Sequence, residues 1–401
     1  MKGLEVSEVR LSEINLGDRI DADYFTKANL QIDKRLKALH TSELRSFADF
    51  VASAFYPAAT QLYSIGDTPF IRCVDCIDFP LITKIQDESF EKIPMSFVSE
   101  NDGINLLNQN DIVITKVGSP CYASIIYEHD VVALSRTVMG LKNVRDINPF
   151  YLLIFLRSKY GFLQLLRARE LTIQYQLTLE RVKRILVFIP DTNFQHSIEI
   201  IVKDSIDKLK QSQSLYSEAE EILLTELGLK NWQPGSKAVN IKTLKESFLR
   251  TGRLDAEYYQ PKYDETEAFI TKYKNGYDII RNLFMQNTDI CDYAENAYNY
   301  IEIGDINTGD GSVSSNLIAT DELPDNAKRI IHSGDILISK VRPYRGAVAV
   351  IDFEDDNLIA SGAFTVLHEK SDYKKEVLQV LLRTQIYKDW LLKWNVGSSY
   401  P

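Results

Sequence analysis

Two short loops carry the side chains of this chain best suited to recognition chemistry. Lys340-Val341-Arg342-Pro343-Tyr344-Arg345-Gly346 places three cations and an aromatic ring within seven residues. Guanidinium groups offer paired donors that match phosphate oxygens and guanine edges, so the mixture suits nucleic-acid contact. The related stretch Lys116-Val117-Gly118-Ser119-Pro120-Cys121-Tyr122 carries one cation and one ring. Lys116, Ser119, Tyr122, Lys340, Arg342, Tyr344 and Arg345 are therefore candidate DNA-binding residues. Arg136, beside Ser135, and Asn307-Thr308, after Asp305, are weaker candidates of the same kind.

Bond-making chemistry finds less support. Asn148-Pro149-Phe150-Tyr151 is close to the Asn-Pro-Pro-Tyr/Phe motif of amino-methyltransferases. That motif needs a flipped-base pocket beside a glycine-rich cofactor turn, and no such turn precedes it. A helix start with Asn as N-cap and Pro at N1 accounts for it better. No GxxxxGK[ST] loop is present, which excludes a P-loop motor within the sequence. Glu354-Asp355-Asp356 sits on a turn with no lysine at nuclease spacing and reads as solvated, and Asp111 and Asp335 read as turn caps. Cys73 and Cys76 form a lone CxxC. Cys121 and Cys291 supply no second pair and no histidine lies nearby, so four buried thiols are expected rather than a zinc site.

Lys and Arg number 46 against 56 Asp and Glu, a net charge of −10. This is the wrong overall sign for a nucleic-acid binder. A local basic face remains compatible with it, because charges are screened within about 8 Å at physiological salt. No apolar run approaches the ~20 residues of a membrane helix. The opening MKGLEVSEVR is charged where a signal peptide would be apolar. A cytoplasmic protein is expected.

The elements that position the loops are duplicated. Arg19–Phe25 is answered by Arg253–Tyr259 at an offset of 234, and Phe70–Asp75 by Tyr300–Asp305 at 230. Asn110–Val117 is answered by Gly334–Val341 at 224, and Leu156–Ser158 by Leu382–Thr384 at 226. Four blocks in one order with a drifting offset mark a repeat whose loops differ in length. Within each repeat, Asp111–Val117 and Asp335–Val341 read as strands, as do Ala133–Leu141 and Ile359–Leu367. Helices are expected from Asn148 to about Lys159 and from Glu376 to about Trp394, with a short strand at Arg184–Ile189. The fold class is mixed α/β, of the α+β kind.

Between the repeats, Phe194 to Gly228 contains no proline and only a terminal glycine. Ile198, Val202, Ile206, Leu209, Tyr216, Ala219, Leu223 and Leu227 recur at helical spacing, interrupted by the polar run Gln211–Ser214. A rod roughly 50 Å long is predicted, its stripe seeking a partner helix. Ile198, Val202, Leu209, Tyr216 and Leu223 are the candidate partner-binding residues. The expected layout is a first domain at 1–190, a long helix at 191–230, a linker at 231–240 and a second domain at 241–401. Offset 226 maps Pro401 onto Tyr175, and 228 − 175 = 53, so the second repeat lacks about fifty residues, including a rod of its own.

These features resemble the specificity (S) subunit of type I restriction–modification systems. The resemblance rests on the paired Asp-Ile-aliphatic-Ile-Ser/Thr-Lys-Val blocks, on Ile359–Val366, on the helix ending AEEILLTELGL, and on the two-repeat layout. It implies two target-recognition domains joined by a coiled-coil-forming helix, each reading one half of a bipartite site on double-stranded DNA. It also implies a non-catalytic chain with no cofactor of its own. Methyltransferase (modification) subunits would carry S-adenosylmethionine, and the restriction (motor and nuclease) subunit would use ATP and Mg. The missing second helix leaves the single rod to pair in another way, including self-association. An alternative from another class is a protein-interaction adaptor that binds no DNA, or an inactive truncated specificity subunit.

Overall fold

The computed structural model describes all residues except 1–4, 12–13, 15–19, 55–60, 64, 78, 119–120, 171–175, 236–238 and 396–401. The chain forms two compact units, Met1–Lys210 and Gln211–Pro401. The strands of the first are β1 (Thr41–Glu43), β2 (Asp49–Ala52), β3 (Thr68–Ile71), β4 (Leu81–Ile82), β5 (Lys92–Ile93), β6 (Leu106–Asn108), β7 (Ile112–Thr115), β8 (Ala123–Ile126), β9 (Val131–Leu134), β10 (Val138–Lys142) and β11 (Leu186–Phe188). The strands of the second are β12 (Phe284–Asn287), β13 (Ala297–Ile301), β14 (Asn316–Ala319), β15 (Ala327–Ile330), β16 (Ile336–Ser339), β17 (Val348–Val350), β18 (Leu358–Ser361) and β19 (Phe364–Glu369). The longer helices are α1 (Lys27–Lys37), α2 (Pro149–Arg157), α3 (Lys159–Arg167), α4 (Thr192–Glu226), α5 (Pro261–Thr271), α6 (Lys375–Arg383) and α7 (Gln385–Leu391).

In the first unit one sheet runs β2-β10-β7-β8-β4 and a second runs β5-β3-β9-β6. β7 and β8 are buried along their whole length because both faces are covered. The two-residue side-chain period sorts them. Ile112, Ile114 and Ile125 meet the helices, while Val113 and Ile126 point to the layer shared with Ile71, Leu107 and Leu134 of the second sheet. Each fully buried aliphatic side chain contributes roughly 1.5–3 kcal/mol relative to exposure.

The second unit repeats this plan. Its sheets run β12-β19-β16-β17 and β14-β13-β18-β15. Matching β7 to β16, β8 to β17, β9 to β18 and β10 to β19 puts every shared strand in the same place. The parallel pair recurs too: β3 with β9 in one unit, β13 with β18 in the other. Side-chain sorting is also conserved, since Ile336 and Val348 meet the helices while Leu337 and Ala349 lie in the inter-sheet layer. The first unit adds β4 and the β1–β11 pair.

Several expected elements are subdivided. Ala133–Leu141 is two strands in different sheets, and Ile359–Leu367 likewise, because the chain crosses between sheets at Ser135–Thr137 and at Gly362–Ala363. The helix expected from Asn148 to about Lys159 is α2, and a further helix, α3, follows it; the helix expected from Glu376 to about Trp394 is divided into α6 and α7. Ser158 caps α3 by accepting from the Gly161 N–H, and Thr384 caps α7 by accepting from Tyr387. Asn148 and Pro149 open α2 as the sequence predicts, with Asn148 Oδ1 accepting from Phe150 and Tyr151.

The rod α4 is continuous for 35 residues, through the polar run at 211–214. Gly228 follows at φ 72°, a left-handed stop that glycine adopts without strain. The rod's first half differs from the expectation of an open stripe. Val202 and Ile206 are buried, and Val202 and Ile198 join the first unit's own core. Gln195 Oε1 accepts from the Asn148 N–H at 2.8 Å, and Lys210 pairs with Glu128. Of the rod's exposed apolar residues, Phe194, Ile201, Leu215 and Ile222 stand seven apart save for Lys208 between the middle two, and Ile200, with Leu209 of the predicted stripe, is exposed beside them.

Candidate nucleic-acid interface

Each recognition loop is hung between the two sheets by the same backbone bonds. The Lys116 N–H donates to Thr137 O at 2.8 Å, and the Lys340 N–H donates to Ala363 O at 2.9 Å. The lysine just after β7 or β16 is thereby set beside the turn where the chain crosses between sheets. Ser135 and Ser361, both buried, hold that turn: Ser135 Oγ accepts from the Thr137 N–H, and Ser361 Oγ from Ala363. Asp111 and Asp335 cap the turns before the strands, accepting from the Asn108 and His332 N–H groups.

One residue lies at the apex of each crossing turn, Arg136 in the first unit and Gly362 in the second. Arg136 is exposed and close enough to Lys116 to act on it electrostatically. Burial first, and the Arg136 charge second, hold the half-buried Lys116 ammonium below its ordinary pKa. Two cations placed this close favour an anionic partner.

In the second unit the cations sit in the loop after β16. Arg342 is left-handed at φ 51° and begins a single tight turn, Pro343–Arg345, closed by Gly346 at φ 73°. Lys340 and Arg345 are exposed, and Arg342 and Tyr344 half-buried. Two further lysines, missed from the sequence, join them. A side chain at Gly346 would lie 3.1 Å from Lys388 Cδ, and one at Gly362 would lie 3.8 Å from Lys328 Cδ. Lys388 lies in α7 and Lys328 in β15, so only the folded topology brings them to the loop.

The remaining candidates are placed differently. Tyr122 leans on Phe162, ring centroids 5.8 Å apart, with the Arg157 guanidinium 5.9 Å from its own ring centre, which makes it part of the wall. Asn307 Oδ1 accepts from the Gly309 N–H, and the Asn307 and Thr308 carbonyls accept from Arg383 at 3.4 and 2.9 Å. Ser119 lies outside the described residues. Along the rod, Leu209 is exposed, Leu223 half-buried, and Tyr216 engaged through its hydroxyl by Arg383 at 2.8 Å.

Arg383 has a twin. Arg157 donates to the carbonyls of Ala123 at 2.8 Å, Ile77 at 3.3 Å and Cys76 at 3.5 Å. Arg383 reaches Val348, Thr308 and Asn307 at the matching places of the second unit. The Leu-Arg-Ser/Thr block is thus a buried clasp that ties the helix pair to the strand and to the loop after β3 or β13. Among the described residues no group of three His, Cys, Asp or Glu side chains is arranged to hold a metal ion. No described helix is long and apolar enough to cross a membrane.

No protein-family model matches the chain, and no curated protein matches it. Among solved structures it is similar to the type I restriction–modification S subunit from M. genitalium, with 11% identity, a TM-score of 0.39, and coverage of 88% of this chain and 78% of that one. It is similar also to the HsdS subunit from Thermoanaerobacter tengcongensis, at 13% identity and TM-score 0.32, covering 88% and 80%. A shorter similarity, at 12% identity and TM-score 0.36, links 45% of this chain to 28% of the type IIG restriction endonuclease BpuSI. Both of these solved structures similar to this chain over 88% of its length are restriction–modification S (HsdS) subunits.

Proposed function

We propose that the chain is the DNA-recognition subunit of a type I restriction–modification complex, with two reading heads that each take one half of a bipartite site. The observation that carries this reading is the pairing of one conserved scaffold with two unlike cation sets. Lys116 and Arg136 flank the loop in one head, and Lys340, Arg342 and Arg345, with Lys388, do so in the other. A scaffold held constant while only its exposed cations differ is what two half-sites of different sequence require. Lysines would set register on phosphates, and the arginines would read base edges. The chain makes no bonds itself on this reading; methyl transfer and cleavage belong to the modification and restriction subunits that it directs to the site. The exposed heptad face of the rod is the surface offered to them.

The test is DNA binding and methylation by the chain assembled with its modification subunits, against sites altered in one half at a time. Arg342→Ala with Arg345→Ala should relax discrimination at one half-site and leave the other unchanged, because each head reads alone. Equal loss at both halves would refute separate heads. Affinity for random DNA should fall steeply with salt; insensitivity to salt would favour a protein adaptor instead.

A further inference from the structure

The strand that flanks the crossing turn is one residue longer in the second head, and the extra residue is a lysine. In the first head β6 runs beside β9 without a break, Leu106 opposite Ala133, Leu107 opposite Val132 and Asn108 opposite Val131. In the second head Ile330 is opposite Ile359 and Arg329 opposite Ala360, but the next pair is Ala327 with Ser361. Lys328 is therefore the inserted residue of a β-bulge. With Ser135 matched to Ser361, the register puts Ile104 in the place of Ala327, and both are buried. Two steps of chain lead from Ile104 to Leu106, and three from Ala327 to Ile330.

A bulge bends its strand and re-aims a side chain. The backbone of this one is held firmly. The Gly362 N–H donates to Asn326 O at 2.6 Å, and the Cys291 N–H donates to Lys328 O at 2.9 Å. Asn326 Nδ2 donates to Ser361 Oγ at 3.0 Å, and the neighbouring Arg329 is tied to Thr288 O at 2.6 Å. Lys328 itself is exposed, and among the described residues no ion pair or side-chain hydrogen bond holds its ammonium. Its stem lies beside the apex of the crossing turn: a side chain started at Gly362 would have Lys328 Cδ at 3.8 Å and Cβ at 4.0 Å. In the first head that apex residue is Arg136.

We propose that Lys328 is the apex cation of the second head, a DNA phosphate contact delivered from the adjoining strand where the first head carries Arg136 on the turn itself. The inference rests on the DNA-reading function proposed above and adds one contact residue to it. An ammonium is a compact point charge without the paired donors of a guanidinium. Lys328 thus adds affinity and fixes register without selecting a base. The bulge is the device that delivers it, because an inserted residue escapes the strict alternation of side chains along an unbroken strand.

The experiment measures binding of the full chain, assembled with its modification subunits, to a random-sequence duplex across a salt series. Lys328→Ala should weaken binding about three- to tenfold and flatten the slope of log K against log salt by about 0.9. Discrimination between a recognised site and variants altered in one half should stay as it was. Adding Gly362→Arg should restore both affinity and slope, since Gly362 is not left-handed and a side chain there meets only ordinary contacts. Adding Glu354→Gln instead restores the net charge on the exposed turn at the other end of β18, and should rescue neither. Steep salt dependence in the native chain with an unchanged slope for Lys328→Ala would overturn this inference and leave the two reading heads standing. Rescue by Glu354→Gln, or lost discrimination at one half-site, would overturn it likewise. Native binding that ignores salt would overturn the reading heads and this contact together.

Discussion

Replacing Arg383 by Met should loosen the second unit without touching any cation of the recognition loop. Arg383 is 7% exposed, and its guanidinium satisfies Thr308 O at 2.9 Å and the Tyr216 hydroxyl at 2.8 Å, with longer bonds to Asn307 O and Val348 O. Asn307 O keeps a second donor, the Gly311 N–H at 2.8 Å, so the Thr308 carbonyl and the Tyr216 hydroxyl are the groups left stranded. Thr308 is exposed and Tyr216 half-buried, so water recovers part of each lost bond and each costs near the low end of the about 1–3 kcal/mol of a buried orphan. Methionine keeps much of the aliphatic stem, so the expected loss is roughly 1–2 kcal/mol, confined to one unit. For a unit of this size each kcal/mol moves the midpoint by about 2–4 °C, which predicts a fall of roughly 2–8 °C. Differential scanning calorimetry of the full chain should show one transition moving and the other fixed. Arg157→Met should move the other transition instead, because it strips the same clasp from the first unit. A shift below about 2 °C for Arg383→Met, or a shift of both transitions together, would refute the assignment of these arginines as internal clasps.

Two further outcomes concern the rod and acid stability. Val202→Asp should destabilise the first unit by about 3 kcal/mol or more, through an unpaired charge in its core. Ile201→Asp with Ile222→Asp, on the exposed heptad face, should leave both melting transitions in place and abolish assembly with modification subunits, read by size-exclusion light scattering. Asp255 is held down to about 2, chiefly by its hydrogen bonds from Arg253. A carboxyl depressed in the folded state contributes stability that is full above its unfolded value near 4 and is lost as pH falls toward 2. Asp255→Asn should therefore flatten the acid limb of the second unit's stability between those values; an unchanged limb would count against the pair.

What was legible in the sequence was whatever the repeat wrote twice. The blocks around Asp111 and Asp335 and the caps at Asn148 and Gly228 follow from local rules, and the structure places them as expected. What stayed hidden needed a third dimension. Ala133–Leu141 reads as one strand because both sheets demand the same apolar residues, and only the pairing at Val131–Leu134 and Val138–Lys142 shows that the chain changes sheet between them. A helical period tells that Val202 faces something apolar without telling what, and the answer was its own domain. Asn307 and Thr308 drew notice for their side chains, whereas their carbonyls are what Arg383 uses. Lys388 and Lys328 carry no local signal at all, since separate elements bring them to the loop.

The crossing turn has a consequence for how such a protein can change its target. Backbone bonds on either side, a buried serine and, in the second unit, the Gly362 N–H donating to Asn326 O at 2.6 Å fix the backbone of the turn, while the side-chain position at its apex differs, arginine in one copy and glycine in the other. A side chain added at Gly362 would meet only ordinary van der Waals neighbours, the nearest at 3.5 Å. The apex therefore works as a socket: its occupant can be exchanged during evolution, or by an engineer, while the architecture that carries it is left alone.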